Sequence, residues 1–193
     1  MTDTSMTIGI PCVNSLMFVQ TAMTLIKTVA ALPFPRNLAF VKNTYLHLAR
    51  TEIVREARAN HSTHLFYLDT DMDFENDVVL RLLAHDKDII GANYNQRGFP
   101  LTTTVRIKNS EGLYTVADVP DTLFECDAVA TGCMLIKMSV FDAIKEPWFF
   151  YKFDAKGNPI GEDVWFCEKA KEAGFKIWCD PTIKVGHIGE YRY

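Results

Sequence analysis

The chain has no surplus of positive charge, no close pair of cysteines and no uninterrupted apolar run of membrane-spanning length. Its 20 Lys and Arg face 24 Asp and Glu, a net charge of -4, so it carries no basic footprint for nucleic acid. A lightly acidic protein can still hold an anionic ligand where a bound metal supplies local positive charge. Five cysteines, Cys12, Cys126, Cys133, Cys167 and Cys179, are scattered without a C-x-x-C pair. Nothing among them seeds a zinc site, and an odd, dispersed set points to reduced thiols and a cytoplasmic setting. The apolar stretch from Ile8 to Leu32 is interrupted by Pro11, Asn14, Gln20 and Lys27, which excludes a transmembrane helix there. Asp3 precedes it with no Lys or Arg, the wrong start for a secretion signal. A Gly-rich loop with a lysine is missing after the first expected strand, which argues against P-loop phosphoryl chemistry. Repeats, low-complexity tracts and linkers are missing too. At 193 residues, 48% apolar and 23% charged, the chain suits one domain with a sizeable core.

What is present is an alternation of strand and helix signals. Thr7 to Pro11 reads as a strand, and Ser15 as the cap of a helix from Leu16 to Ala31. Val19, Ala22, Met23, Ile26, Val29 and Ala30 keep helical spacing, so that face is expected on the sheet. Leu38 to Val41, a helix from Leu48 to Ala59, the strand Leu65 to Leu68, a helix from Glu75 to His85 and the strand Lys87 to Ala92 follow. This order predicts an α/β domain with a mostly parallel sheet. After Ala92 come a hairpin around Asn109-Ser110-Glu111-Gly112, a strand from Asp127 to Met138 and a short helix from Ser139 to Ile144. A helix from Gly161 to Ala173 with Gly174 as its stop leads to the strands Phe175 to Cys179 and Ile183 to His187. A parallel half (1–92) followed by a mixed half (93–193) makes one mixed sheet.

The chain is organised around Leu65-Phe66-Tyr67-Leu68-Asp69-Thr70-Asp71-Met72-Asp73. An apolar strand runs into three carboxylates at alternate positions, which in extended chain point the same way. Such a cluster suits a hard divalent cation; the other reading is an Asp-rich turn with Asp73 capping the next helix. Ligands on parallel sheets bind beyond the carboxyl ends of the strands, where the Pro11 loop also lies.

Four groups together carry a resemblance: Asp69-Thr70-Asp71; Gly161-Glu162-Asp163 opening an amphipathic helix that ends in Ala173-Gly174-Phe175; Gly186-His187-Ile188-Gly189; and Arg50-Thr51-Glu52. With Thr131-Gly132-Cys133-Met134 they resemble, in order and spacing, the nucleotide-sugar-dependent glycosyltransferases of the GT-A fold, close to the family 2 type. The resemblance spans nearly the whole chain. It implies a single GT-A domain, with a nucleotide-binding half (1–92) and an acceptor and catalytic half (93–193). The implied activity transfers a sugar from a UDP- or GDP-sugar donor to a hydroxyl acceptor, with Mn²⁺ or Mg²⁺. The resemblance implies metal ligation by Asp71 and His187, with Asp69 on the ribose or on a water of the metal. It implies Asp163 as general base, with Glu162 orienting the acceptor, so that transfer inverts the anomeric carbon. Pro11, Arg50 and Gly132 would lie on the donor.

Each residue also has a plainer reading. Glu162 and Asp163 make an ordinary acid pair at a helix start. Arg50 would be a solvated helix charge, His187 a packed histidine, and Trp148 a core ring rather than a platform for a sugar. Arg97, after a strand end, is a candidate clamp for phosphate or sugar. The competing functions are a nucleotidyltransferase and a catalytically silent nucleotide-sugar binder. A homo-oligomer is compatible with the sequence.

Overall fold

The first strand, β1 (Met6–Cys12), is buried along its whole length, as its apolar run requires. It has parallel partners on both sides, β2 (Arg36–Lys42) and β3 (His64–Leu68). Parallel neighbours need a crossover, supplied here by α1 (Val19–Ala31) and α2 (Leu46–Ala59). The computed structural model describes residues 4–189, so Asp3 lies outside the described residues. After β3 the chain turns at Thr70 and Asp71, forms β4 (Met72–Phe74) and α3 (Val78–Ala84), and re-enters the sheet as β5 (Ile89–Ala92).

The hairpin β6 (Arg106–Lys108) and β7 (Tyr114–Val116) closes as the Asn109–Gly112 run predicts. The Asn109 carboxamide oxygen accepts from the Glu111 and Leu113 N–H groups, and Gly112 takes φ +76, which glycine adopts without steric penalty. Then follow β8 (Phe124–Cys126), β9 (Cys133–Lys137), α4 (Met138–Ala143), β10 (Lys152–Phe153) and β11 (Pro159–Ile160). The last elements are α5 (Glu162–Glu172), β12 (Ile177–Asp180) and β13 (Val185–His187).

Seven strands form one mixed sheet in the order β2-β1-β3-β9-β5-β12-β8. Strand β9 runs antiparallel between β3 and β5, so strands from both halves of the chain share the sheet. One face packs Ile53 of α2, Phe141 of α4 and Phe166 of α5 against Leu65, Tyr67 and Ile136. The other packs Leu25 of α1 and Val79 of α3 against Ile8, Ile10 and Phe66. The fold is therefore a three-layer α/β domain with five helices. All five cysteines are free and buried. Among the described residues, no helix is long and apolar enough to cross a membrane.

Several boundaries differ from the sequence expectation. Helix α1 begins at Val19, and Ser15, at φ +60, does not cap it. Its buried residues are Thr21, Thr24, Leu25 and Thr28, whereas Val19, Met23 and Ile26 are 74%, 51% and 65% exposed. Two bonds fix this rotation: the Thr24 hydroxyl donates to Asp73 Oδ1 at 2.9 Å, and the Phe18 N–H donates to the Thr70 carbonyl at 3.0 Å. Asp73 thus holds α1 rather than capping α3, which starts three residues later than its Glu75 expectation and has no side-chain cap.

Candidate functional site

The turn at Thr70–Asp71 decides what the three aspartates do. An unbroken extended chain would aim them together; the turn sends each to a different partner. Asp69 faces Arg50, Asp71 faces Arg97 and His187, and Asp73 faces Thr24.

Asp71 Oδ2 lies 3.3 Å from Arg97 Nη1 and 3.3 Å from His187 Nε2. Strand β13 delivers His187: it pairs antiparallel with β4, with His187 opposite Met72, and the Ile188 N–H donates to the Asp71 carbonyl at 2.7 Å. His187 Nδ1 is 2.9 Å from the Asn95 carbonyl, which only accepts, so Nδ1 carries a proton. Neutral His187 then turns a lone pair on Nε2 toward the Asp71 carboxylate. Two facing lone pairs repel unless a proton or a cation lies between them. Burial opposes the charge on His187, but Asp71 and the Asn95 carbonyl outweigh it and raise its pKa above the ordinary value. The Tyr94 ring meets the His187 ring edge-on at 5.4 Å and limits its tilt.

Behind this pair sits a buried ion network. Arg50, on α2, is 3% exposed; its Nη2 reaches both Asp69 oxygens at 3.1 Å and its Nη1 pairs with Glu162. Burial would depress the guanidinium, yet Asp69 and Glu162 hold it above its ordinary value. The Tyr151 hydroxyl also bonds to Glu162 and is pushed up to about 12, by burial first and Glu162 second.

Asp163, next along α5, takes the Val164 N–H on Oδ1 at 2.7 Å. Burial, reinforced by Glu162, raises its pKa above the ordinary carboxylate value. The helix N-terminus was expected to favour its ionised form; burial wins instead.

Asp69, Asp71, Arg97, Glu162, Asp163 and His187 line one mouth of about 350 Å³ at the carboxyl edge of β1 and β3, with Pro11 and Thr131 on its walls. The Thr131 hydroxyl is buried there with no partner among the described residues.

Other expected contacts change role. Pro11 lies within β1 rather than in a loop. Arg50 is committed to Asp69 and Glu162 and does not reach outward, whereas Arg97, with 57% of its side chain exposed, does. Glu162 is 6% exposed and held by Arg50, so it braces the site and is poorly placed to orient an acceptor. Gly132 is buried; a Cβ there would sit 2.4 Å from the Tyr94 hydroxyl, and its carbonyl accepts from the Asp69 N–H at 3.2 Å. It sets the end of β3. Trp148 is 2% exposed, donates to the Ile144 carbonyl at 3.0 Å and belongs to the core. Its neighbours Phe150 and Tyr151 are the exposed rings. Sequence reasoning gave no role to Tyr94 or Tyr151. Tyr94 stands two residues past β5, so the rule that ligands gather at carboxyl ends was the available signal.

Among the described residues, no three His, Cys, Asp or Glu side chains gather as a ready metal cage. Asp71 and His187 would be at most a two-ligand set, because Arg50 takes both oxygens of Asp69. Two protein ligands suit an ion that shares its remaining positions with phosphate oxygens and water. The residues present therefore fit a divalent cation only together with a phosphorylated ligand.

No family model matches the chain, and no curated protein matches it. Among solved structures, A197 from STIV superposes with a TM-score of 0.65 at 17% identity, covering 97% of this chain and 86% of that one. At that identity the likeness is one of fold alone.

Proposed function

We propose that the chain is a GT-A type glycosyltransferase that moves a sugar from a nucleoside diphosphate donor to a hydroxyl acceptor. The observation that supports this most directly is the sharing of Asp71 Oδ2 between His187 and Arg97, at a mouth that Asp163 also lines. Asp71 and His187 would hold Mn²⁺ or Mg²⁺, and an imidazole beside a carboxylate suits Mn²⁺ somewhat better. When bound, the cation supplies positive charge against the leaving diphosphate. Arg97 adds a flexible donor for a phosphate oxygen. Arg50 keeps Asp69 and Glu162 apart and fixed, so the wall behind the donor does not rearrange. Asp163 accepts the proton of the acceptor hydroxyl; a raised carboxylate pKa strengthens it as a base. Because the base and the leaving diphosphate flank the sugar on opposite faces, the product is inverted.

The test is thermal stabilisation by UDP and GDP with and without Mn²⁺. The expected result is a modest shift with nucleotide alone and a larger one with Mn²⁺, the extra increment vanishing in Asp71→Asn. An increment that survives in Asp71→Asn removes Asp71 from the site. No stabilisation by any nucleoside diphosphate defeats the reading as a whole.

A further inference from the structure

The outward face of α1 and the free edge of the sheet make one surface, and its chemistry is unlike that of the rest of the molecule. From Thr4 to Thr51 the chain contains no Asp or Glu, although the whole chain has 24. On α1, Val19, Met23 and Ile26 are exposed and fall on one stripe at helical spacing. Strand β2 is the sheet's edge. Its residues Arg36, Leu38, Phe40 and Lys42 pair in register with Met6, Ile8, Ile10 and Cys12. Partnered residues of parallel strands share a face, and the Ile8 and Ile10 side chains lie in the same packed layer as Leu25 of α1. Leu38 and Phe40, 43% and 47% exposed, therefore open on the side of the sheet that α1 covers. Lys27, Arg36 and Lys42 are exposed around these side chains. Among the described residues Arg36 donates to the Leu32 and Phe34 carbonyls and to no carboxylate. Asp73, an exposed acid beside α1, accepts from Thr24, which is off the stripe of Val19, Met23 and Ile26.

We propose that this surface docks on an anionic lipid interface. Apolar side chains ringed by Lys and Arg, with no acid among them, are the makeup of a surface that lies in the headgroup region of a membrane. Charge decides between lipid and a second copy. A two-fold self-contact would bring Lys27, Arg36 and Lys42 against the same three cations with no carboxylate in the patch to offset them. Anionic headgroups supply the missing charge, and water and headgroup oxygens satisfy the open edge of β2. The loop before α1 carries the surface to the candidate site: Leu16, Met17 and Phe18 share a cavity with Thr70 and Arg97. The proposal does not depend on the sugar-transfer reading.

The experiment is flotation of the full chain with vesicles of equimolar phosphatidylcholine and phosphatidylserine, and with phosphatidylcholine alone. At low salt the chain should float with the mixed vesicles and not with phosphatidylcholine alone. Met23→Asp combined with Ile26→Asp should abolish this. Lys27→Gln combined with Lys42→Gln leaves the apolar stripe intact and should weaken binding roughly 25-fold, about fivefold per charge. All four positions are exposed, so unchanged melting temperatures show that the variants fold. Failure of the wild type to float overturns the proposal, and so does equal flotation of wild type and both variants. A dimer in light scattering that Met23→Asp and Ile26→Asp dissolve, with no vesicle binding, overturns it in favour of a second copy.

Discussion

Asp71 and Asp163 are carboxylates of one mouth in opposite surroundings. Asp71 faces a guanidinium and an imidazole; Asp163 is half-buried beside another carboxylate, and desolvation first and that neighbour second raise its pKa. Asp163→Asn should therefore keep the Mn²⁺-dependent stabilisation by nucleotide while transfer falls roughly 10²–10⁴-fold, the ordinary contribution of a positioned base. A catalytically silent binder would show the first behaviour and have no transfer to lose. The same variant should gain stability at neutral pH. A carboxyl whose pKa is raised by folding opposes folding wherever it must ionise, that is, above its unfolded pKa. The gain in melting temperature should shrink as pH falls toward the ordinary carboxylate range. The two arginines separate in the same way. Arg50→Met strands Asp69 and Glu162 in the interior and should cost about 3–5 kcal/mol in urea unfolding. Arg97→Met removes an exposed pair of little structural worth; stability should hold while nucleotide affinity drops.

At the scale of elements, α1 is the instructive case. Its apolar periodicity was legible, but periodicity reports that two faces differ, not which one meets the sheet. The bonds from Thr24 to Asp73 and from Phe18 to Thr70 settle that, and neither partner is near α1 in sequence. The hydroxyls of Thr21 and Thr28 are buried with no partner among the described residues. Thr28→Val, which keeps the shape and removes the unsatisfied hydroxyl, should stabilise the protein by about 1 kcal/mol; a chemical-denaturation midpoint checks it. Elsewhere local chemistry was enough. The Asn109–Gly112 turn, the Gly174 stop of α5 at φ +92 and the strand into Asp69 all follow from residues adjacent to the feature. The convergence of Asp71, Asp163 and His187 on one edge was what the family resemblance implied. The fate of Asp73, Arg50 and Trp148 did not, because each is decided by a partner distant in sequence.

For the whole molecule, acid is the condition that should loosen the fold. Burial opposes the charges of Asp127, Glu168 and Asp180, yet Lys171, the Lys152 and Lys108 pair, and Thr182 with His85 outweigh it and hold all three below the ordinary range. Depressed folded values mean that this stability is fully present above the unfolded carboxylate pKa, near 4, and is lost as pH falls through the folded values. Denaturant midpoints across pH should show a plateau toward neutrality and a decline below about 4. The pairing of β13 with β4 acts on a different axis, the order in which the chain is made. His187 reaches Asp71 from more than a hundred residues downstream, so closing that contact carries the entropy of a long loop. Every strand of the seven-stranded sheet precedes β13 in sequence. On a ribosome, the strands of that sheet therefore emerge before His187 does. The contact between His187 and Asp71 is accordingly available only after all seven of those strands have been made.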